Sequence, residues 1–341
     1  MTESTMSTRV YVSNADSRDI TVLSLDVDSG RLHPLQTVTF EGQVGPLALS
    51  PDRRRLYAAV RTQPYHVASF EVDADDGRLH LIGTAPLPDS MAHLATDRRG
   101  QWLFAASYPG NLFSVSPIGP EGQAEAPAQV LPTGRHAHAT LVAPSNRHLF
   151  VSNLGSDVVM QWAFDADSGA LRPNAVPHFE GRAHAGPRHL VFHPNGRFVY
   201  LLNELDATVE VLAYDDAQGT LASLQTLPTL PEGFEGRPWA ADLHLTPNGR
   251  FLYTSERTSS TLACFAVDAT SGRLTLQGHV DTELQPRGFN IDPSGCYLIV
   301  AGQLSHAVRV CAIDAETGRL TTRHTEPVGQ NPTWVEIVRG D

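Results

Sequence analysis

The sequence of 341 residues contains no lysine, so all 25 of its basic residues are arginines. Schiff-base chemistry and catalysis by a lysine base are therefore excluded. The only cysteines are Cys264, Cys296 and Cys311, too few for a disulfide framework, which favours a reducing compartment. No apolar run of about 18 residues occurs, and the first ten residues lack the apolar core of a signal peptide. These absences predict a cytoplasmic protein without a membrane-spanning segment.

Acidic residues outnumber basic ones, 37 to 25, which gives a net charge of -12. A surface of this sign repels nucleic-acid phosphates and anionic lipids, so we predict neither as a partner. An anionic ligand would need a local cluster of arginines. The hydrophobic share of 41% is ordinary for a folded domain with a real core.

A unit made of a turn and a short apolar, aromatic strand recurs along the chain. Its copies are anchored at Pro51, Thr96, Pro144, Pro194, Pro247 and Pro293, which lie 45 to 53 residues apart. Repeats of roughly 40–50 residues without helical periodicity are typical of β-propellers. A second repeated element, Asp-x-x-x-Gly, is typical of the tight turn of a β-hairpin. It begins at Asp26, Asp73, Asp165, Asp268 and Asp314.

The two ends of the sequence determine the number of blades. RVYVSN (9–14) matches the second strand of a unit, and NPTWVEIV (331–338) matches a missing first strand. We therefore predict an all-β, seven-bladed propeller, one domain over residues 1–341, in which the N- and C-terminal strands share one blade. Such closure leaves no open sheet edge. The longest insertion, residues 226–237, is predicted to be a loop over one face.

In this fold the first strand of each blade lines the channel, and the second strand runs antiparallel to it. The starts of first strands and the ends of second strands therefore meet around one end of the channel. Polar residues at the starts of first strands are Gln43, His93, His136, His138, Arg188, His189, Asp242, His244, Arg287 and Asn331. Those at the ends of second strands are Asn14, Arg61, Asn153, Glu204, Arg257 and Gln303.

Within this set, His138, Arg188, Glu204, Arg257 and Arg287 suit an anionic ligand and acid–base chemistry. For each of them a structural role, such as an ion pair between blades, is the alternative interpretation. We interpret four other residues as structural. These are His189, His193, His244 and Cys264.

Other site chemistries have little support in the sequence. His136 and His138 have H-x-H spacing, a weak metal signal without accompanying carboxylates, and we predict no metal. No glycine-rich phosphate loop, G-x-S-x-G motif or zinc-type cysteine pair is present. Nucleophilic catalysis by serine or cysteine is therefore not indicated.

Three segments resemble the propeller-type 6-phosphogluconolactonases. They are GPRHLVFHPNGRFVYLLNEL (186–205), RPWAADLHLTPNGRFLYTSERTSS (237–260) and QPRGFNIDPSGCYLIVAGQLSH (285–306). The resemblance covers essentially the whole chain and is weakest over residues 114–128. It implies a carboxylic ester hydrolase of the oxidative pentose phosphate pathway that converts 6-phospho-D-glucono-1,5-lactone to 6-phospho-D-gluconate. It implies no cofactor and a sugar-phosphate lactone as the partner; the closed ring favours a monomer.

The wider family includes fungal carboxymuconate-cyclising enzymes, and matching their site motifs selects His138, Arg188, Glu204 and Arg257. For lactone hydrolysis we predict His138 or Glu204 as the base and the two arginines as stabilisers of the oxyanion. Arg287 and Arg61 are expected to hold the phosphate. A lactonase or cycloisomerase acting on another substrate is one alternative, and a non-catalytic scaffold is another. A scaffold should expose an apolar rim, which the aromatic content of 7% does not favour.

Overall fold

The computed structural model describes residues 8–339, which form 28 β-strands and one short 3₁₀ helix, Leu154–Ser156. The prediction of an all-β protein is confirmed. In chain order the strands are β1 (Thr8–Asn14), β2 (Asp19–Asp26), β3 (Arg31–Thr39), β4 (Val44–Leu49), β5 (Arg55–Val60), β6 (His66–Val72), β7 (Leu79–Pro86), β8 (His93–Thr96), β9 (Trp102–Ser107), β10 (Leu112–Pro117), β11 (Gln129–Pro132), β12 (Ala137–Val142), β13 (His148–Asn153) and β14 (Val158–Phe164). They continue with β15 (Leu171–Glu180), β16 (Pro187–Phe192), β17 (Phe198–Asn203), β18 (Thr208–Asp215), β19 (Thr220–Pro228), β20 (Ala240–Leu245), β21 (Phe251–Glu256), β22 (Thr261–Val267), β23 (Leu274–Asp281), β24 (Pro286–Ile291), β25 (Tyr297–Gly302), β26 (Ala307–Ile313), β27 (Leu320–Pro327) and β28 (Pro332–Arg339).

The strands form seven four-stranded antiparallel sheets, the blades of a propeller. Blade 1 contains β28, β1, β2 and β3, and blades 2 to 7 contain β4–β7, β8–β11, β12–β15, β16–β19, β20–β23 and β24–β27. The inner strands β28, β4, β8, β12, β16, β20 and β24 contact one another in this order, and β24 returns to β28. The ring is therefore closed, and the predicted sharing of one blade by the terminal strands is confirmed by the pairing of β1 with β28.

The hydrophobic core is divided into seven clusters, one between each pair of adjacent blades. Between blades 5 and 6, for example, Tyr200 and Leu202 pack against Leu252 and Phe265. Each such fully buried apolar side chain contributes about 1.5–3 kcal/mol. The alternation of the repeats thus becomes a ring of similar interfaces that holds the channel rigid.

The repeated tyrosine of the second strands and the repeated Asp-x-x-x-Gly turn bind each other across blades. Tyr200 donates its hydroxyl to the carbonyl of Gly272 at 2.9 Å, in the turn of the next blade. Gly272 has φ +70°, a left-handed conformation that suits glycine, and its N–H donates to the carbonyl of Asp268. Tyr253 makes the same bond to Gly318 at 2.7 Å. Tyr11 and Tyr57 bond to the equivalent turns in the same way, so these contacts join neighbouring blades at the end opposite the predicted site.

The inner strands share an irregularity that the sequence did not reveal. In β4, β12, β16, β20, β24 and β28 the pairing with the second strand slips by one residue at the same place. The slip falls at Arg188 in β16, next to His138 in β12 and next to Arg287 in β24. A β-bulge breaks the alternation of side chains and re-aims the extra residue. Three predicted site residues therefore lie at bulges.

The predicted loop over residues 226–237 is partly wrong. Its first three residues belong to β19, which ends at Pro228, so the irregular segment runs from Thr229 to Trp239. The error arose because Thr-Leu-Pro closely precedes a second Pro and a Gly, and such residues usually mark a turn. No helix in residues 8–339 is long and apolar enough to cross a membrane.

Candidate active site

A buried cluster of three charges lies where blades 5 and 6 reach the channel. Arg188 donates from Nε to Glu204 Oε2 at 2.8 Å, and Arg257 Nη2 lies 2.9 Å from the same oxygen. The two arginines are only 1% and 4% exposed. Burial would raise the pKa of Glu204, but Arg188, Arg257 and Arg287 outweigh it and hold the pKa below its usual value. Glu204 is therefore an ionised clamp for two guanidinium groups.

Both clamped arginines also bind backbone. Arg257 donates to the carbonyls of Trp239 and Ala240 at 3.1 and 3.0 Å, and its guanidinium stacks 3.9 Å above the Trp239 ring. Arg188 Nη1 donates to the carbonyl of Ala241. Within the described residues, Nη2 of Arg188 and Nη1 of Arg257 have no protein acceptor. Each arginine thus joins blades 5 and 6 and keeps one N–H₂ group for a ligand.

Arg287 is in a different situation from these two. It is partly exposed, and across residues 8–339 its guanidinium makes no hydrogen bond or ion pair to protein. Burial in the channel, together with Arg188, Arg257 and Arg61, lowers the pKa of Arg287 well below its usual value, although an arginine stays charged. Arg61, the neighbouring cation, donates from Nε to Ser90 Oγ at 3.2 Å. Four guanidinium groups share this end of the channel with Glu204 and with Glu256, which already accepts from the backbone N–H groups of Trp239 and Ser259. The excess of positive charge favours an anion.

His138 lies beside the charge cluster and is buried. Its ring is 5.1 Å from that of His189 and 6.0 Å from that of Tyr108, measured between centroids. Burial lowers the pKa of His138 well below 6.5, and Arg188, His189 and Arg287 lower it further. His138 is therefore a neutral imidazole held next to cations.

A second layer of aromatic and titratable side chains lies beneath this cluster. His189 Nδ1 is 2.7 Å from Asp242 Oδ1, and the ring centroids of His189, His93 and Trp334 are 5.4–5.7 Å apart. His189 is among the residues interpreted above as structural, and neither Trp334 nor Tyr108 is among the predicted site residues. A signal was present, because Arg188-His189 and Ala241-Asp242 hold equivalent positions in adjacent repeats.

Several other polar candidates bind each other or the backbone. Gln303 donates to Asn331 at 2.7 Å, Asn14 to Asp19 at 2.6 Å and Asn153 to a backbone carbonyl. Their side chains are therefore engaged with protein atoms and stabilise the ring.

The remaining histidine candidates do not join the charge cluster. His193 binds the turn around Gly249 at the opposite end of the blades, and His136 stacks on Tyr108 with centroids 4.2 Å apart. Residues 8–339 contain no group of three or more His, Cys, Asp or Glu side chains arranged to hold a metal ion.

The rim around this end of the channel exposes large apolar side chains, contrary to the expectation from the aromatic content. Leu205 and Leu304 directly follow Glu204 and Gln303, and Trp239 and Leu284 precede inner strands. All four are exposed. The expectation was wrong because the rim is made mainly of leucine, which the aromatic content does not count.

A cavity of about 440 Å³ lies at the opposite end of the molecule. Arginines line it together with a similar number of carboxylates, including Asp52, Asp73 and Asp75. Arg9, one of its arginines, already donates to the carbonyl of Asp76 at 2.6 Å. Its charges are largely matched by the protein, unlike those beside Arg287, so the charge cluster is the better candidate for an anionic ligand.

Comparison with known proteins agrees with the seven-bladed fold. Residues 6–337 match the family model described as lactonase, 7-bladed beta-propeller. The 6-phosphogluconolactonase of Serratia proteamaculans is 44% identical over 96% of this chain and 98% of its own, and that of Pectobacterium carotovorum is 44% identical over 97% and 99%. The solved periplasmic gluconolactonase of Pseudomonas aeruginosa superposes with a TM-score of 0.91 at 28% identity, covering 98% of this chain and 100% of the other.

Proposed function

The chain belongs to the lactonase family of seven-bladed β-propellers, and we propose that the charge cluster at its channel end hydrolyses 6-phospho-D-glucono-1,5-lactone. The product is 6-phospho-D-gluconate, and the chain is a carboxylic ester hydrolase of the oxidative pentose phosphate pathway. The observation that supports this site most directly is the guanidinium of Arg287. It has no protein partner in residues 8–339 and lies among three other arginines and a neutral histidine.

Arg287 and Arg61 are proposed to hold the phosphate of the substrate. A phosphate dianion offers several acceptor oxygens, and guanidinium groups bind such oxygens in pairs. Arg287 is the stronger contributor because all of its donors are free, whereas Arg61 already uses Nε on Ser90. The dianion would also relieve the mutual repulsion of the arginines.

His138 is proposed as the general base, in preference to Glu204. Glu204 is held by two guanidinium groups that lower its pKa and occupy one of its oxygens. His138 is neutral, and across residues 8–339 its imidazole makes no hydrogen bond to protein. It would take a proton from water as the water oxygen bonds to C1 of the lactone. When the bond between C1 and the ring oxygen breaks, the imidazolium would return that proton to the ring oxygen.

Arg188 and Arg257 are proposed to stabilise the oxyanion that forms on the C1 oxygen. Each has one N–H₂ group without an acceptor in residues 8–339, and Glu204 fixes both guanidinium groups before the substrate binds. A fixed donor of this kind is worth about 3–4 kcal/mol of transition-state stabilisation. Glu204 therefore acts by positioning the two arginines.

The proposal is tested by comparing three substrates with the purified protein. These are 6-phosphogluconolactone, unphosphorylated glucono-1,5-lactone and a carboxymuconolactone, each beside an enzyme-free control for spontaneous hydrolysis. We expect kcat/KM to be roughly 10 to 100 times higher with the phosphate than without it, as for a charged hydrogen bond. Equal rates on the two gluconolactones, or faster opening of the carboxymuconolactone, would contradict the assignment.

We propose a cytoplasmic monomer that binds a small molecule and neither nucleic acid nor membrane, without a cofactor. The net charge of -12 supports the exclusion of polyanionic partners. All three cysteines are free, and Cys296 is exposed, as expected for a reducing compartment. Sedimentation of the purified chain tests whether it is a monomer, and fractionation of its host cells tests the cytoplasmic location.

A further inference from the structure

A buried histidine–carboxylate pair lies directly behind the proposed base. His189 and Asp242 are both buried, and Asp242 Oδ1 lies 2.7 Å from His189 Nδ1. The backbone N–H groups of Leu243 and Phe289 also donate to Asp242, at 3.0 and 3.3 Å, and His244 Nε2 lies 3.3 Å from it. Burial would raise the pKa of Asp242, but His244 and His189 outweigh it, so Asp242 is ionised.

The ionised carboxylate determines the tautomer of its partner. Asp242 can only accept, so His189 must carry a proton on Nδ1 and donate it. Burial and Arg188 lower the pKa of His189 to about 4, which keeps the ring neutral. A neutral imidazole protonated on Nδ1 has a lone pair on Nε2. His189 Nε2 is buried and finds no partner among the described residues.

His138 has a buried ring nitrogen in the same situation. Its Nδ1 is also buried without a partner in residues 8–339, and the centroids of the two rings are 5.1 Å apart with an interplanar angle of 64°. An unsatisfied buried polar atom costs about 1–3 kcal/mol. One arrangement satisfies both atoms: His138 carries its proton on Nδ1 and donates it to His189 Nε2, after a small ring movement or through one bridging water.

We propose that Asp242 and His189 form a relay that fixes the tautomer of His138, leaving Nε2 of His138 as the lone pair that receives the proton of water. The relay rests on the proposed role of His138 in lactone hydrolysis. It follows the logic of other triads, in which a buried carboxylate orients a base through a hydrogen bond and stabilises its cation. His189 and Asp242 are positioning residues, and neither gains or loses a proton during turnover.

The charges around the two rings explain why such support is needed. Arg188, Arg287 and His93 face His138 and disfavour its cation, and Tyr108 lies against its ring. Around His189, the groups with the same effect are Arg188 and His244, and the uncharged neighbours are His93 and Trp334. Glu336, which accepts from Trp334, is a second carboxyl group in this layer, and Asp242 is the one bonded to His189. Its effect reaches the base through His189.

The most direct test is the ring tautomer of His138 in the ligand-free protein, read from ¹⁵N chemical shifts and long-range ¹H couplings of ¹⁵N-histidine protein. His138→Gln and His189→Gln assign the signals. We expect both His138 and His189 to be protonated on Nδ1 at neutral pH. In His189→Phe, which keeps an aromatic ring but removes the acceptor, His138 should lose this preference. A wild-type His138 protonated on Nε2, or one unchanged in His189→Phe, would overturn the relay.

Kinetics then separate positioning from packing. We expect His189→Phe and Asp242→Asn to lower kcat on the order of 10 to 10³-fold, with KM changed less than about threefold. His189→Gln should recover part of kcat because its amide oxygen can accept from His138. Unchanged kcat in His189→Phe, while His138→Ala is inactive, would overturn the positioning role. Activity retained in His138→Ala would instead show that the proposed base is wrong, and the tautomer measurement would still decide whether the relay exists.

Discussion

The inner strands of the seven blades reach the channel end at one equivalent position, yet they divide the ring into two unlike parts. Blades 4, 5 and 7 place His138, Arg188 and Arg287 there, whereas the others place small side chains. The small residues are Gly45, Ala92, Ala241 and Thr333. The backbone differs little between the two parts, since the same bulge recurs in six of the seven inner strands. The repeat therefore fixes where a side chain is presented, and single substitutions decide whether it carries chemistry.

Two of the small residues also contribute to the part of the ring that carries the charges. A Cβ on Gly45 would overlap the side chain of Arg61, so glycine leaves room for that arginine. Ala241 accepts a hydrogen bond from Arg188 through its carbonyl, and Thr333 bonds to Ser13 at 3.2 Å within its own blade. Gly45 thus leaves room for the side chain of Arg61, and Ala241 binds that of Arg188 through its backbone.

The largest expected effect is the loss of activity when His138 is replaced by alanine. Loss of a positioned base lowers kcat by roughly 10²–10⁴-fold. Thr333→Ser, at the equivalent position on the other side of the ring, should change kcat less than twofold because it keeps its hydroxyl. Initial rates with the phosphorylated lactone, corrected for spontaneous hydrolysis, measure both. Near-wild-type turnover of His138→Ala would remove the base assignment.

Arg188→Met should cost stability as well as activity. Removing one partner of a buried ion pair leaves Glu204 poorly compensated and typically costs about 3–5 kcal/mol. Arg147→Met removes an exposed ion pair with Asp216 and should cost less than about 1 kcal/mol. Denaturant unfolding of both variants checks the difference. Equal losses would mean that the charge cluster contributes no more than a surface pair.

Arg287→Ala should weaken substrate binding without lowering stability, because this guanidinium has no protein partner within residues 8–339. We expect KM for the phosphorylated lactone to rise roughly 10- to 100-fold, as for a charged hydrogen bond of about 1.5–3 kcal/mol. The free energy of unfolding should stay the same or increase, since repulsion with Arg188 and Arg257 is relieved. A large loss of stability with unchanged KM would place Arg287 among the structural arginines.

The smallest expected effect is a separation of two pH profiles. Burial and the neighbouring positive charges lower the pKa of His138 in the free enzyme. The value of kcat/KM should therefore stay close to its value at neutral pH as the pH falls below 6.5. A bound phosphate dianion offsets that charge and raises the pKa of His138, so the acidic limb of kcat should lie at higher pH. With unphosphorylated gluconolactone the acidic limbs of kcat and of kcat/KM should lie at the same pH. Coincident limbs for both substrates would argue against His138 as the titrating base.

The sequence allowed the ring and its closure to be predicted because both depend on local, repeated patterns. The spacing of the repeated turns indicated seven blades, and strand direction alone placed His138, Arg188, Glu204, Arg257 and Arg287 at one end of the channel. What it did not predict depends on pairs from different blades. His189 and Asp242 are 53 residues apart, and their equivalent positions in adjacent repeats are the one sequence signal that relates them.

The bulges were missed for a related reason. A slip of one residue in pairing leaves the alternation of each strand almost intact in sequence. It is visible only when both strands are placed side by side, as at Arg188 between Pro187 and His189. The same holds for the partners of the arginines: sequence gives no sign that Arg188 and Arg257 are clamped while Arg287 is free.

A crystal structure with bound 6-phosphogluconate tests the location of the site most directly. We expect the phosphate within hydrogen-bonding distance of the Arg287 guanidinium and the C1 carboxylate beside His138. Product bound instead in the cavity at the opposite end, among Arg53, Arg54 and Arg339, with the guanidinium of Arg287 still unoccupied, would contradict it.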